Sequence, residues 1–477
     1  MIVDRPTLSE SDIAAIFQEQ RRRYLAAPYP LYGERMLNLE KLEVAIENRR
    51  EDLKSALYAD FRKPGAETEF TEYLATMAEL RFARHRLRRW MRPQRVGTPL
   101  SLLGSFSELR SEPKGVVLIL APWNYPFYLT MSPLIAAIAA GNRCMVRPSE
   151  KAPATRDVIA AILSEAFSKG EVAAIGGEVE TAEMLLKLPF DHMFFTGSTR
   201  IGKVVMRAAA EHLSGVTLEL GGKSPAIVDE SADVARAASR IAWGKFVNAG
   251  QTCVAPDYVL VHESVEREFI DSSVEHIARM YGATEEDRLR TPDFARMIDG
   301  GHFARIGALL EATVRGGAQV EIGGKAVADE RYISPTILSK VTFDSPIMSE
   351  EIFGPVLPVI SYRSLDDVLA QINLRPKPLA LYAFSRKRSV VERVLRGTSA
   401  GGTLVNDTLL HLANPYLPFG GIGESGVGNY HGIYGFRTFS HERAVMRQTR
   451  ASLAPLLAPP YGKTARIMLR VMDLLPG

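Results

Sequence analysis

The chain opens with helical periodicity. Residues 9–12, SESD, form an N-cap pattern, and Ile13, Ile16 and Phe17 follow on one face. Apolar positions recur at helical spacing through roughly 33–60 and 66–92, which predicts a mainly helical first ~95 residues. The texture changes at residue 115. GVVLIL is a short β-branched run, ended by APWNYP, whose two prolines no helix could cross. Helical PLIAAIAAG comes next, then strand-like RCMVRP (143–148) and helical TRDVIAAILSEAF (155–167). HMFFTG (192–197), a helix over about 200–212 and VTLEL (216–220) continue the alternation. Strands that alternate with helices predict a parallel α/β sheet. A second such stretch carries SPAIVD (224–229), DYVLVH (257–262), QVEI (319–322), LPVISY (357–362) and LALYAFS (379–385). Beyond about 400 the chain is glycine-rich and irregular, and its tail, with APPYGK and TARIMLRVMDLL, reads as a packing or dimer-contact arm.

Composition bounds this picture without changing it. At 477 residues the chain has room for roughly two or three domains. A hydrophobic fraction of 46% and a charged fraction of 24% are those of an ordinary globular protein, whose core needs neither disulfide nor metal. Two cysteines cannot build a disulfide framework, so a reducing, cytoplasmic setting is expected. The start, MIVDRPTLSESDI, lacks the basic and apolar regions of a secretory signal, and PLIAAIAA is too short to span a bilayer. A net charge of +3 calls for no polyanionic partner. RFARHRLRRWMRPQR (81–95) holds seven arginines, but Leu80, Ala83, Leu87 and Trp90 recur at helical spacing. Those arginines are therefore expected on the solvent side near a helix end, complementing its dipole, and neither nucleic acid nor membrane is expected as a partner.

Two motifs mislead. GGIGESG (420–426) is a formal GxGxxG match, but NPYLPFG rather than a hydrophobic strand precedes it, so a flexible loop is the expectation. GSTRIGKV (197–204) nearly spells a P-loop, yet Val204 stands where the Mg²⁺-binding hydroxyl belongs. A strand, a glycine turn and a helix start remain there, a geometry suited to a phosphate that is bound but not hydrolysed.

The candidate chemistry centres on FVNAGQTCVAP (246–256), where Cys253 lies among small and polar residues. It could be a nucleophile or a small core residue. A catalytic thiol needs an oxyanion site and a means of releasing the acyl group. Asn124 in PWNYP follows a strand, Glu219 breaks the apolar alternation of VTLEL before two glycines, and Glu350 and Glu351 precede an aromatic and a Gly-Pro turn. Each has a plain alternative: Asn124 as a turn cap, Glu219 in a salt bridge, Glu350 and Glu351 as helix caps. Cys144, inside RCMVRP, reads as structural.

PWNYP, FFTGSTRIGK, VTLELGGKSP, NAGQTC and EEIFGP stand in the order and spacing of the aldehyde dehydrogenase superfamily, and DFRKP (60–64) fits the same pattern. From about residue 10 onward the chain resembles that superfamily. LPFGGIGESGVGNYHGIYGFRTFSHERAV (417–445) resembles its class 3 branch, and PPYGK (459–463), GQTCVAPDYVLV and VNDTLLHLA (405–413) resemble bacterial coniferyl aldehyde dehydrogenases. The resemblance implies an α/β fold with two parallel-sheet domains, a Rossmann-like cofactor domain and a catalytic domain, plus a β-bridging oligomerisation element. It places them at 1–95 with 114–219, at 220–412, and at 96–113 with 413–450, followed by a tail at 451–477.

The same resemblance implies a Cys253 nucleophile, an oxyanion site from the Asn124 amide and the Cys253 N–H, and Glu219 as base for the hydrolytic water. Around the cofactor it implies Trp123, Gly197, Ser198, Gly202, Leu220, Glu351 on the nicotinamide ribose, and Phe353 beside it. The adenosine side would be met by Arg147, Ser149 and Glu150 of RPSE, where relatives commonly carry KPSE. Glu150 would repel a 2′-phosphate and Arg147 attract one, so NAD is expected, with NADP possible. The expected reaction is oxidation of an aromatic or phenylpropanoid aldehyde, such as coniferyl aldehyde, to its acid by a homodimer. Medium-chain aliphatic aldehydes, or acyl transfer to CoA, are the alternatives, and no metal is assigned.

Overall fold

The computed structural model describes residues 8–450 and 458–473; residues 1–7 and parts of the C-terminal tail, 451–457 and 474–477, lie outside the described residues. The Ser9 side chain accepts from the Asp12 N–H and Asp12 answers the Ser9 N–H, a capping box that starts the helix Glu10–Ala26. Between 65 and 90 the chain is not one regular helix. A π-helical turn, Glu69–Tyr73, separates Gly65–Thr68 from Leu74–Trp90 and re-aims the Glu72 side chain inward.

The arginine run does more than complement a helix end. Arg81 and Arg84 clasp Glu43, Glu47 and Glu40 of the helix Tyr32–Asn48, and Arg86 donates to the Tyr416 hydroxyl at 2.7 Å. The dipole account fails for these three because carboxylates and a phenol lie within reach.

Four sheets organise the rest. β1 (Gln94–Val96), β2 (Ser105–Pro113) and β18 (Ser440–Gln448) form an antiparallel three-stranded sheet in the order β1-β2-β18. The second sheet takes β3 (Val116–Leu120), β4 (Arg143–Arg147), β5 (Val172–Ala174), β6 (His192–Thr196), β7 (Gly215–Glu219) and β17 (Gly426–Val427). Its order is β17-β7-β6-β3-β4-β5, parallel except for β17. β8 (Pro225–Val228), β9 (Tyr258–His262), β10 (Gln319–Ile322), β13 (Thr336–Ser339), β14 (Val356–Tyr362), β15 (Ala380–Phe384) and β16 (Gly402–Val405) make a seven-stranded sheet. It is ordered β10-β13-β14-β9-β8-β15-β16, with only β10 antiparallel. β11 (Ala326–Val327) and β12 (Tyr332–Ile333) pair by themselves.

Two packing details fix the site. The helix Tyr128–Ala140 is apolar nearly all round and almost wholly buried; its last carbonyls, from Ala139 and Ala140, accept from the buried Arg35 guanidinium. GGIGESG is an ordered hairpin, not the flexible loop expected. Gly426 pairs with Glu219, Val427 with Leu218, and the Leu220 N–H donates to the Ser425 carbonyl at 3.0 Å. The glycines serve close backbone approach: a Cβ on Gly421 would lie 2.0 Å from the Ser425 oxygen, and one on Gly426 2.4 Å from that of Leu218.

Candidate active site

The loop before Cys253 is wound tightly. Asn248, Ala249 and Gly250 occupy left-handed backbone in succession, with φ of 56°, 52° and 74°. Asparagine tolerates this conformation and glycine adopts it without strain; a Cβ on Gly250 would lie 2.3 Å from the Gly354 oxygen. Gln251 locks the turn, donating to the Asn248 and Arg296 carbonyls and accepting from the Ile298 N–H at 3.0–3.1 Å. The Cys253 thiol is half-buried. Burial, then the negative potentials of Glu351 and Glu219, push it up to about 12, so the resting group is a thiol. Cys144 is fully buried in β4, consistent with a structural role.

Asn124 follows β3, and its amide Nδ2 donates to the Gln251 carbonyl at 3.0 Å. The Asn124 carbonyl accepts from Asn248 Nδ2 at 2.8 Å, which joins the two loops. Glu219 ends β7 with 2% exposure, and neither carboxylate oxygen has a hydrogen-bond partner among the described residues. Burial holds its pKa well above the ordinary carboxylate range. Neither a salt bridge for Glu219 nor a mere turn cap for Asn124 describes what is found. Both groups meet Cys253 on one cavity of about 690 Å³.

The cavity extends over the carboxyl ends of β3, β6 and β7, beside the point where strand order reverses between β3 and β6. Gly197 and Ser198 line it, and the Ser198 side chain caps the helix Thr199–Glu211. That helix directs its N-terminus at the cavity, where a pyrophosphate is favoured by free N–H groups and dipole. Gly202, one turn in, lies under Leu220; a Cβ there would come within 2.7 Å of the leucine. Trp123 meets Phe353 edge-to-face at 5.3 Å and His302 at 4.8 Å. Glu351 is pushed up to about 8 by burial and the charge of Asp257, against the Gly222 N–H and the Lys223 and Lys245 cations. Gly221 makes room for it, since a Cβ would lie 2.0 Å from Glu351 Oε2. Its neighbour Glu350 instead pairs with Arg305 at 3.0 Å. These features fit a dinucleotide.

Trp123, Asn124, Gly197, Ser198, Glu219, Leu220, Cys253, Glu351 and Phe353 thus share one cavity. Arg147, Ser149 and Glu150 lie at the end of β4, outside its lining. There Arg147 Nη2 donates to Glu150 at 3.0 Å and to the Gly177 and Glu178 carbonyls. Sequence reasoning missed much of the far wall, formed by Phe70, Trp243, Leu410, Leu412, Phe419 and His431. The class 3 motif at 417–445 contains the last two and VNDTLLHLA (405–413) the two leucines, but neither motif gave them a place in the site.

Residues 2–445 match the Aldehyde dehydrogenase family. The chain is 47% identical over 428 residues to the 4,4'-diaponeurosporen-aldehyde dehydrogenase of Staphylococcus aureus, spanning 89% of this chain and 92% of that protein. It is 42% identical to a "Probable coniferyl aldehyde dehydrogenase" of Pseudomonas aeruginosa, over 97% of this chain and 98% of the other. The fold superposes on the substrate-bound state of Staphylococcus aureus AldH with a TM-score of 0.92 and 43% identity, over 96% and 99% of the chains. An NAD+ complex of aldehyde dehydrogenase from Bacillus cereus matches at a TM-score of 0.83 and 28% identity, over 93% and 90%. A cysteine loop facing a dinucleotide-sized cleft therefore has a family to belong to: this chain is a member of the aldehyde dehydrogenase family, an oxidoreductase that uses NAD(P) to oxidise aldehydes.

Proposed function

We propose that the protein oxidises aryl aldehydes of the phenylpropanoid type, coniferyl aldehyde among them, to free acids, with NAD preferred over NADP. The observation that carries this reading is the ring-rich lining of the cavity that holds Cys253. Phe70 and Trp243 stack at 6.4 Å with an interplanar angle of 26°, and Tyr128 and Phe419 complete an aromatic surround for a flat substrate. The similarity to a protein named for coniferyl aldehyde supports it. Leu409, Leu410 and Leu412, which line the same cavity, and the likeness to a protein named 4,4'-diaponeurosporen-aldehyde dehydrogenase favour a second reading: medium-chain aliphatic aldehydes.

In this mechanism the Cys253 thiol gives up its proton to solvent water as its sulfur attacks the aldehyde carbon and forms a thiohemiacetal. Asn124 spends one amide N–H on Gln251; the other, with the Cys253 N–H, meets the oxyanion, and one such donor contributes about 10²–10³-fold in rate. The chemistry NAD supplies when bound is that of a two-electron acceptor, which carries the thiohemiacetal to a thioester. Glu219 then takes a proton from water; the hydroxide adds to the thioester carbonyl, the C–S bond breaks, and the acid leaves as the thiol is restored. Glu351 orients the nicotinamide-side ribose and Phe353 packs beside it. A carboxylate base poised for water supports hydrolysis over acyl transfer to CoA. Free cysteines support a cytoplasmic enzyme, and Phe106 (68% exposed) and Met446 (54%) on the three-stranded sheet support a homodimer.

The test is kcat/KM over a panel of cinnamaldehyde-type and aliphatic aldehydes, with and without CoA. Aryl substrates are expected to lead, NADH to form without CoA, and Cys253→Ser to be inactive. Preference for aliphatic aldehydes would remove the aryl assignment, and a strict need for CoA would remove hydrolysis.

A further inference from the structure

DFRKP has no part in the chemistry above, although its lysine lies beside it. Lys63 is fully buried, and its ammonium pairs at 2.8 Å with Glu72, also fully buried. The π-helical turn aims Glu72 at this point, and its second oxygen accepts from the Tyr128 N–H at 2.8 Å. Glu67 is the third buried charge. It holds the backbone N–H of Asn248, in the left-handed turn of the nucleophile loop, and Lys63 opposes the rise in its pKa.

Lys63 also stands over the face of Tyr125, with Nζ 4.0 Å from the ring centroid. The Tyr125 hydroxyl is 2.7 Å from Thr252 Oγ1, and Thr252 precedes Cys253. A cation on the ring face draws electron density from the phenol and strengthens its O–H as a donor, and in a dry site such a contact is among the stronger side-chain interactions. The N-terminal helices thus grip the loop twice, through Glu67 at Asn248 and through Lys63 and Tyr125 at Thr252.

We propose that Lys63 is a positioning residue for the nucleophile, acting through the face of Tyr125 and the Tyr125–Thr252 hydrogen bond to hold the Cys253 thiol in its attacking orientation. This rests on the reading of Cys253 as nucleophile, and the experiment separates the two. On the full-length chain, Tyr125→Phe removes the hydroxyl but keeps the ring, and Lys63→Met/Glu72→Gln removes the cation without stranding its carboxylate partner. Alkylation of Cys253 by iodoacetamide, followed by intact mass, reports the thiol without turnover; Cys144 is fully buried and silent.

Both variants are expected to lower kcat and the alkylation rate about tenfold, with KM for NAD within about twofold of wild type. Combining all three substitutions adds nothing further, because one path is cut twice. Multiplied losses, an unchanged alkylation rate, or a KM effect without a kcat effect would overturn the proposal. Should Lys63→Met/Glu72→Gln fail to fold, Tyr125→Phe alone decides: wild-type kcat and alkylation overturn it. Turnover by Cys253→Ser would instead sink the nucleophile reading.

Discussion

Replacing Glu219 with glutamine keeps size and shape and removes the base. Neither Glu219 oxygen has a hydrogen-bond partner among the described residues, so the change takes an acceptor from no existing donor and leaves the Asn124–Gln251 contact intact. Attack by Cys253 and oxidation to the thioester should therefore survive, and hydrolysis should not. A positioned general base contributes about 10²–10⁴-fold. We take about 10³, or about 4 kcal/mol of barrier, because burial raises the basicity of Glu219. Rapid mixing with NAD and aldehyde should give a burst near one NADH per subunit, then a steady rate about a thousandth of wild type, with a thioester adduct visible by mass.

Stability adds a second readout. The folded pKa of Glu219 is raised, so its contribution is full below the ordinary carboxylate range. As pH rises toward the folded value, wild type loses about 1.4 kcal/mol per pH unit that Glu219→Gln does not lose. The variant's relative Tm should thus climb as pH rises from about 5. Loss of the burst as well as the steady rate would refute the division of labour, and an unchanged kcat would remove Glu219 from catalysis.

Gly250→Ala combines a left-handed backbone, about 1–2 kcal/mol, with overpacking against the Gly354 carbonyl, about 1–3 kcal/mol. A Tm equal to wild type would contradict the turn geometry. Without cofactor, the Cys253 thiol lies near 12, so inactivation by iodoacetamide should still be rising at about pH 10. A plateau near neutrality would show an ionised resting thiolate. Arg147 turns Nη2 to Glu150 and two carbonyls, so kcat/KM should favour NAD, and Glu150→Ala should narrow its ratio to NADP about tenfold. A clear NADP preference in the wild type would contradict that assignment.

The central strands were legible because a parallel strand covered on both faces reads as an unbroken apolar run, as GVVLIL and HMFFT do. Glu219 stood out as a carboxylate ending such a run immediately before two glycines. NAGQTC read only as a run of small and polar residues, and the left-handed turn at Asn248, Ala249 and Gly250 was not read from it. β17 was not legible, because two residues of a glycine-rich segment carry no periodicity and their pairing with β7 is decided by tertiary contact. β1 and β18 are largely exposed and β2 is mostly half-buried, so their polar sequences hide them from an apolar pattern. The π-helical turn that brings Glu72 to Lys63 differs from a regular helix by its hydrogen-bond ladder alone, which side-chain spacing over so few residues does not reveal.

The hairpin that pairs Gly426 with Glu219 has a consequence for synthesis. Five strands of the six-stranded sheet emerge from the ribosome by Glu219 and can fold as they appear, whereas the strand beside Glu219 is made long after them. Until residues 419–431 arrive, the edge of β7 is unpaired and the cavity lacks Phe419, Tyr430 and His431. A nascent or prematurely terminated chain therefore carries the nucleophile without a finished pocket around it. Closure of this hairpin and completion of the pocket are one event.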